Sequence, residues 1–346
     1  RLVTEKLDKG SDVVRLLGAV QAQDYLGAKW ALSQRTVDAT DTDLEKELVD
    51  GSILRTHVLR PTWHFVAPED IRWMLALTAP RVRAILAHHD RTLEIDRKLL
   101  DRSRVVLAKA LTGGKHLTRT ELAAALTAAR VRVDGSGGQR LARLVMHAEL
   151  DGLICSGPRR GKQFTYALLD ERVPPGRTLH GDDALRELAM RYFATRGPAT
   201  VDDFAWWSGL TKSAARKGIL GAKSSLEHAV IDKRDFWFTP ARSARMRTPF
   251  VRLLSNYDEY FIGHKDRSAI HAHLHASGVT AIPSAAFGHL LIVDGQVVGH
   301  WARAISETSA VVRLSPLVAL NRTVLRAVAH EVHRFSGFLG IPARVA

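Results

Sequence analysis

Two glutamines near the start of the chain have the residue type and spacing for chemistry on a bound water molecule. Gln21 and Gln23 are separated only by Ala22, and an apolar segment with helical character follows them. Residues i and i+2 of a helix point about 200° apart, whereas in an extended or turn conformation they share a face. We therefore expect the pair at a helix boundary, with Asp24 as the N-cap of the next helix. Two neutral amides on one face can hold a water molecule through donated and accepted hydrogen bonds; the alternative is that both are solvated surface residues.

Length, composition and charge narrow the class of protein to which the chain can belong. The chain has 346 residues, 46% of them hydrophobic and 25% charged, which suits a globular protein of roughly two to four domains. Its 50 Lys and Arg residues outnumber 36 Asp and Glu residues and give a net charge of +14. Such a basic excess predicts a polyanionic partner such as nucleic acid. An anionic membrane surface is the competing partner, but without an apolar run of about 18 residues or an amphipathic basic end we expect no membrane association.

Cysteine usage indicates the compartment. The single cysteine, Cys155, excludes an internal disulfide framework and a cysteine-based zinc site. No signal peptide is visible, and we expect a monomer in the cytoplasm, associated with the nucleoid. Because the chain begins at Arg1, we also expect a few residues to precede it.

The hydrophobic periodicity predicts a mainly α fold with small β hairpins, an α+β class in which one helical plan occurs three times. Unit 1 covers residues 1–98 with a connecting helix, unit 2 covers 99–176, unit 3 covers 177–245, and a C-terminal α+β element with a hairpin covers 246–346. Three helices followed by a hairpin is the plan of a winged helix. Three tandem copies predict an internally repeated DNA-binding architecture.

Local signals predict where several elements begin. In unit 1 a helix is expected over 12–20, and Thr42 with Glu45 has the spacing of a capping box for the third helix. Pro68 is expected to begin the connecting helix, because proline at the first helical position loses no hydrogen bond. Capping boxes are also predicted at Thr118 with Glu121 in unit 2 and at Thr200 with Asp203 in unit 3. In the C-terminal element, Asp294-Gly295 between two apolar runs predicts a hairpin with a type I′ turn.

Basic residues cluster at two places that suit contacts with phosphate. A hairpin tip predicted over 157–162 in unit 2 carries Arg159, Arg160 and Lys162. A short helix that Thr211 begins in unit 3 carries Lys212, Arg216 and Lys217. The alternative for the hairpin tip is a solvated turn with no partner.

Other chemistries have little support in the sequence. In a helix only two of His271, His273 and His275 share a face, and no carboxylate or cysteine stands at ligand spacing, so we predict no metal site and no cofactor. No phosphate-binding glycine-rich loop with a following lysine and no Gly-x-Ser-x-Gly motif occurs. Trp206 and Trp207 can stack on bases, but their helical spacing favours a core position.

Several separated motifs together resemble the AlkZ-type winged-helix DNA glycosylases of bacteria. They are Gln21-Ala22-Gln23, the run HVLRPTWHFV at 57–66, the run LSNYDEY at 254–260 with Asp266-Arg267, and VVGHW at 297–301. The resemblance covers essentially the whole chain. It implies tandem winged helices arranged as a C-shaped clamp, and an enzyme that removes N7-alkylated guanines, including bulky adducts and interstrand crosslinks, from double-stranded DNA. The role implied is DNA repair or self-resistance to a DNA-alkylating antibiotic.

The resemblance also implies roles for particular residues. Gln21 and Gln23 match the catalytic Gln-Φ-Gln element, in which Ala22 is an unusually small central residue. A sister branch that resembles YcaQ carries Asp at the second position, so Gln23 favours the AlkZ-like side and its narrower range of adducts. A hairpin pressed against the minor groove is implied as well, with 299–303 as the candidate. The implied DNA contacts are His64, His300 and Arg303.

The implied substrate explains why two neutral amides can suffice for catalysis. An N7-alkylguanine is already cationic, so the base leaves as a neutral purine without a general acid. The barrier then lies in stabilising an oxocarbenium-like sugar and delivering water to C1′, which two amides can do. No lysine nucleophile is needed, so we expect hydrolysis without strand nicking. The alternative function is a non-enzymatic, tandem winged-helix DNA-binding regulator.

Overall fold

The described part of unit 1 contains three helices, a three-stranded antiparallel sheet and a fourth, connecting helix. The computed structural model describes residue 2 and residues 5–133, 138–240, 247–279 and 288–346. The elements of unit 1 are α1 (Gly10–Leu17), β1 (Ala19–Gln21), α2 (Tyr25–Ser33), α3 (Asp41–Asp50), β2 (Leu54–His57), β3 (Trp63–Val66) and the connecting helix α4 (Ile71–Thr92). The strand order is β1-β3-β2, so β3 lies between the other two. The class is mixed α+β with helices predominating, as the sequence predicts.

Three details of unit 1 differ from the prediction. Helix α1 ends at Leu17, because Gly18 adopts φ 79° and the following residues pair with β3 instead of continuing the helix. The capping box of α3 is formed by Thr40 and Asp43, while Glu45 instead accepts a hydrogen bond from Lys29 at 2.8 Å. The connecting helix begins at Ile71, so the prediction that it begins at Pro68 was wrong by one turn.

The same order of elements, helix–strand–helix–helix–strand–strand, recurs in unit 2 and nearly recurs in unit 3. Unit 2 contains α5 (Arg97–Leu111), β4 (Leu117–Thr118), α6 (Arg119–Ala128), α7 (Gln139–Leu150), β5 (Ile154–Arg160), β6 (Gln163–Leu168) and the short α8 (Leu169–Arg172). Unit 3 contains α9 (Gly181–Arg196), α10 (Val201–Ser208), α11 (Lys212–Ala222), β7 (Glu227–Ile231) and β8 (Arg234–Phe238). A single bridge from Ala199 to Trp237 takes the place of the first strand in unit 3.

The predicted capping boxes of units 2 and 3 are confirmed. Thr118 and Glu121 cap α6 reciprocally, and Thr200 and Asp203 cap α10 in the same way. Helix α5 begins at Arg97, two residues before the start predicted for unit 2 at residue 99. The boundary predicted between residues 245 and 246 lies outside the described residues, and the four-part division stays a prediction.

The C-terminal element is built on a five-stranded sheet. Its elements are β9 (Val251–Leu254), α12 (Glu259–Ile262), α13 (Ala272–Ala276), β10 (His289–Val293), β11 (Gln296–Ile305), β12 (Ala310–Pro316), α14 (Arg322–Leu339) and β13 (Ala343–Val345). The strand order is β13-β12-β11-β10-β9. Asp294 at φ 49° and Gly295 at φ 82° connect β10 and β11 in a two-residue turn, which confirms the type I′ prediction. A second hairpin, formed by β11 and β12, was not predicted. It extends beyond β10, because β11 pairs with β10 only as far as Trp301 but with β12 as far as Ile305.

Hydrophobic clusters cover both faces of the unit 1 sheet. Val20 and Phe65 belong to one hydrophobic cluster with Trp30, Trp301 and Phe335, which joins unit 1 to the C-terminal element. On the opposite face, a second cluster contains Ala19, Leu54 and Val66 together with Trp73 of α4 and Tyr192, Phe204 and Trp207 of unit 3. Strand β1 therefore lies between unit 3 and the C-terminal element. None of the helices that the structure describes has the length and apolar composition that a bilayer crossing needs.

A partly buried histidine in the C-terminal sheet should make the fold sensitive to acid. The ring of His289 lies 4.7 Å from that of Trp301, and its Nδ1 accepts a hydrogen bond from the Asn256 N–H at 2.9 Å. Burial, followed by repulsion from Arg303, lowers the pKa of His289 to about 4. The unfolded chain, with a histidine pKa near 6.5, therefore binds this proton first, and stability falls as the pH drops from about 6.5 towards about 4.

We expect His289 alone to lower the free energy of unfolding by about 2 kcal/mol between roughly pH 7.5 and pH 5. Urea denaturation at a series of pH values measures this loss. The variant His289→Gln keeps a hydrogen-bond acceptor but does not titrate, so its stability should change less over the same range. Parallel curves for the two proteins would contradict the expectation.

Candidate functional site

The two glutamines lie at the junction between β1 and α2, as the sequence predicts. Gln21 is the last residue of β1 and only 7% exposed, whereas Gln23 is exposed in the connection that follows. Asp24 caps α2 by accepting a hydrogen bond from the Gly27 N–H at 3.1 Å, which confirms the N-cap prediction. Burial of Gln21 removes it from the solvated surface, and the pair therefore presents one enclosed amide and one accessible amide.

Gln21 is held by groups from two other parts of the chain. Its side-chain Oε1 accepts a hydrogen bond from Arg60 Nη2 at 2.9 Å, and its backbone N–H donates to Glu259 Oε1 at 3.0 Å. The register of β1 and β3 places His64 directly opposite Gln21. Arg60 precedes β3 and Glu259 begins α12, so three separate segments meet at this glutamine.

The backbone around Gln23 is fixed by β3 and by a buried arginine. The Ala22 N–H donates to the Trp63 carbonyl at 2.7 Å, and Gln23 Oε1 lies 3.4 Å from the Trp63 nitrogen. Arg55 donates from Nε and Nη2 to the Ala22 carbonyl, at 3.2 and 3.1 Å. The connection between the two glutamines is therefore an ordered part of the unit 1 sheet edge.

Arg55 also forms one wall of a cleft between units 1 and 2. Its guanidinium lies 4.1 Å from the Trp63 ring centre and 4.5 Å from that of Phe164, and burial lowers the pKa of Arg55 to about 10. The cleft has a volume of about 420 Å³ and is lined by Arg55, Trp63, Thr118, Arg119, Thr120, Lys162, Gln163, Phe164 and Tyr166. Aromatic faces beside cations suit an unstacked base or the phosphate backbone next to it.

The C-terminal element fixes the site through buried charges. Glu259 accepts hydrogen bonds from Arg196 Nε at 3.1 Å and from Trp207 Nε1 at 2.8 Å, in addition to the Gln21 N–H. Arg303 Nη2 lies 2.6 Å from Asp24 Oδ2, so β11 holds the first turn of α2. Sequence reasoning missed the role of Glu259 because none of its partners is near it in the chain, although it falls within the run at 254–260.

The basic hairpin of unit 2 differs from its prediction. Strand β5 continues through Arg160, so the tip consists of Gly161 and Lys162 alone. Arg159 folds back onto unit 1, where its guanidinium lies 5.0 Å from the Tyr25 ring centre and 3.4 Å from Glu45. Arg160 pairs with Glu121 at 2.7 Å. Of the three predicted cations, Lys162 is the one that projects from the tip.

The predicted cations of α11 lie on its exposed face. Lys212 pairs with Asp202 at 2.8 Å and Lys217 with Asp182 at 2.7 Å. Arg216 and Lys162 are exposed and form no ion pair with another residue in the described part of the chain. An exposed ion pair contributes about 1 kcal/mol or less to stability, so a DNA phosphate can compete with Asp202 and Asp182 for these lysines.

The other three predicted DNA contacts, His64, His300 and Arg303, differ in burial and in hydrogen-bond partners. His64 is fully buried beside Gln21, and its Nδ1 lies 2.9 Å from the Thr62 carbonyl. His300 is partly buried in the middle of β11, and Arg303 is engaged with Asp24. The structure thus brings His64 and Arg303 to the glutamine segment rather than to an open surface.

One aromatic residue near the site has more exposure than expected. Trp207 is fully buried, as predicted, but Trp206 is 42% exposed. Its ring centre lies 5.7 Å from the guanidinium of Arg60 and 5.7 Å from that of Arg267. Within the described ranges, no group of three or more His, Cys, Asp or Glu side chains is placed to hold a metal ion.

Comparisons of the sequence and of the fold with known proteins give one consistent result. The model of the family described as "DNA glycosylase AlkZ-like" matches residues 14–338. A curated relative, the "Interstrand DNA cross-link repair glycosylase" of Streptomyces sahachiroi, is 28% identical over 97% of this chain and 93% of the relative. The solved structure of the Streptomyces sahachiroi DNA glycosylase AlkZ superposes with a TM-score of 0.79 at 25% identity, covering 100% of this chain and 95% of that one.

Proposed function

The chain belongs to the AlkZ-like DNA glycosylase family, and from this premise we propose that it hydrolyses the N-glycosidic bond of N7-alkylguanine in double-stranded DNA. The substrates include guanines joined in interstrand crosslinks, as the name of the Streptomyces sahachiroi relative suggests. The observation that carries the proposal is the pair of Gln21, buried and hydrogen-bonded, and Gln23, exposed beside it. The enzyme acts as a monomer in repair, or in self-resistance to a DNA-alkylating antibiotic.

The reaction needs little from the protein beyond placing water. The alkylated base carries a positive charge, so cleavage of the bond between C1′ and N9 releases a neutral purine. The two amides hold a water molecule below C1′ while positive charge develops on the sugar. Neither amide forms a covalent bond with the sugar, and we propose hydrolysis with no lyase step.

Release of free base distinguishes the enzyme from a DNA-binding regulator. Duplexes treated separately with small and bulky N7-alkylating agents, and one with a defined crosslink, are incubated with excess protein. The released base is then identified by mass spectrometry. Release of alkylguanine supports the enzyme, and the panel defines its adduct range. Tight binding of every duplex without release would contradict the proposal and support the regulator.

DNA binding should depend strongly on salt. The net charge of +14 and the exposed cations Lys162 and Arg216 motivate this expectation. Each phosphate neutralised should contribute about −0.9 to the slope of log affinity against log salt concentration. Fluorescence anisotropy with an unmodified duplex measures this slope.

Substitution of one free cation provides a matched comparison. Lys162→Ala should make the slope shallower by about 0.9, because it removes one phosphate contact. Lys46→Ala, at an exposed position in α3 outside the proposed DNA contacts, removes the same charge and is the control. Affinity that does not change with salt would argue against nucleic acid as the partner.

A further inference from the structure

The hydrogen bond from Arg60 determines how the Gln21 amide is oriented. A guanidinium has five N–H donors and no acceptor, so its partner at 2.9 Å can only be the amide oxygen of Gln21. The NH2 group of Gln21 is thereby directed to the other side of the amide. Arg60 is itself largely buried, which lowers its pKa from the usual value, and attraction to Glu259 opposes this lowering. The fold thus holds the Arg60 guanidinium beside β1, the strand that ends at Gln21.

His64 has a complementary orientation. Its Nδ1 lies 2.9 Å from the Thr62 carbonyl, which can only accept, so Nδ1 carries the hydrogen and Nε2 is an acceptor. Burial, followed by repulsion from Arg60, lowers the pKa of His64 well below its usual value, so the ring is neutral. His64 Nε2 is buried and has no hydrogen-bond partner among the described residues.

The register of the sheet places these groups together. Directly opposite residues of antiparallel strands have their side chains on the same face, so the His64 ring lies on the face occupied by the Gln21 amide. Arg60 therefore engages the amide oxygen from one side, and an unpaired acceptor lies on the same face as the NH2 group. Gln23 is exposed, and within the described part of the chain its Oε1 accepts one long hydrogen bond, 3.4 Å from the Trp63 nitrogen.

We propose that Arg60 is a positioning residue that orients the Gln21 amide, so that Gln21 donates a hydrogen bond to the attacking water and Gln23 accepts one from it. This inference rests on the proposed glycosylase function. The water oxygen bonds to C1′ as the C1′–N9 bond breaks, and the electron pair of that bond leaves with the base. The proton that the water loses passes to solvent on the side of the exposed Gln23, since an amide does not retain it.

Two matched substitutions test the division of roles. Gln21→Glu keeps an oxygen for Arg60 but replaces the NH2 donor with an acceptor, and should slow single-turnover release by on the order of 10²-fold. Its melting temperature should not fall, because the new carboxylate pairs with Arg60. Gln23→Glu keeps the acceptor and should remain at least about tenfold faster than Gln21→Glu. Equal rates, or a slower Gln23→Glu, would overturn the assignment.

A double-mutant cycle tests whether Arg60 acts through Gln21. Arg60→Met should slow release by about tenfold in the wild-type background, with little change in the KM for alkylated duplex. In a Gln21→Ala background it should cause no further loss, because the amide that Arg60 orients is absent. Full additivity in that background would show that Arg60 acts elsewhere.

A neighbouring arginine is the control for the cycle. Arg267 lies at the same 5.7 Å from the Trp206 ring as Arg60, but it donates to the Phe261 carbonyl and has no hydrogen bond to Gln21 in the described ranges, so Arg267→Met should not couple to Gln21→Ala. The results also distinguish failure of the proposed glycosylase function from failure of the roles assigned to the two glutamines. A wild-type protein that releases no alkylated base refutes the proposed function itself, whereas wild-type release with equal effects of the two Glu variants refutes only the roles inferred here.

Discussion

A protein with both Gln21→Ala and Gln23→Ala is expected to release N7-alkylguanine on the order of 10²- to 10³-fold more slowly than the wild type. The reason is that both amides hold one water molecule in the proposed mechanism, so without them the sugar reacts only with an unpositioned water. Because the residues act as a unit, the double substitution should cost less than the product of the two single losses. Single-turnover release at saturating protein measures the chemical step without contributions from binding or product dissociation.

The same variant should still bind DNA and remain folded. Neutral amides contribute little to phosphate contacts, so the affinity for alkylated duplex should be close to that of the wild type. Gln139→Ala, at an N-terminal position of α7 in unit 2, is the control for loss of a glutamine side chain. Wild-type release by the double variant would rule out the catalytic role and leave the segment as a helix junction.

Signals that are local in sequence predicted local structure correctly. The capping boxes of α6 and α10 require only residues three apart, and the Asp294-Gly295 turn requires only two residues with positive φ. The position of Gln21 and Gln23 at a helix boundary was predicted on similar grounds, because their spacing is incompatible with a shared helical face.

Features that depend on distant partners were not predicted. Strand β1 has three residues and exists because they pair with β3, so no periodicity of its own distinguishes it from the end of α1. Arg159 was expected to face DNA, but Glu45, 114 residues earlier, holds it against unit 1. Likewise, Gln21 meets Arg60 across 39 residues and Glu259 across 238, and nothing in their residue types indicates these meetings.

Removal of Glu259 is expected to be the most destabilising single change near the site. Glu259 is 3% exposed, and it neutralises Arg196, which is 5% exposed, with Nη2 at 2.5 Å. It also accepts from the Trp207 indole and the Gln21 backbone. Glu259→Ala would leave a buried cation and two buried N–H donors without their acceptor. Such a change should lower the free energy of unfolding by about 3–5 kcal/mol.

The expected loss has a functional consequence, because Glu259 joins unit 3 and the C-terminal element to β1, the strand that ends at Gln21. Urea denaturation of Glu259→Ala and of Glu307→Ala, an exposed glutamate on the turn between β11 and β12, should give a large and a small change respectively. A surface substitution of the second kind usually changes stability by about 0.5 kcal/mol or less. Glu259→Gln keeps an acceptor for the Gln21 N–H, so at a temperature where it is fully folded it should release alkylguanine faster than Glu259→Ala. Similar stability of the two alanine variants would show that Arg196 finds another partner, and that β1 is not held by this buried charge.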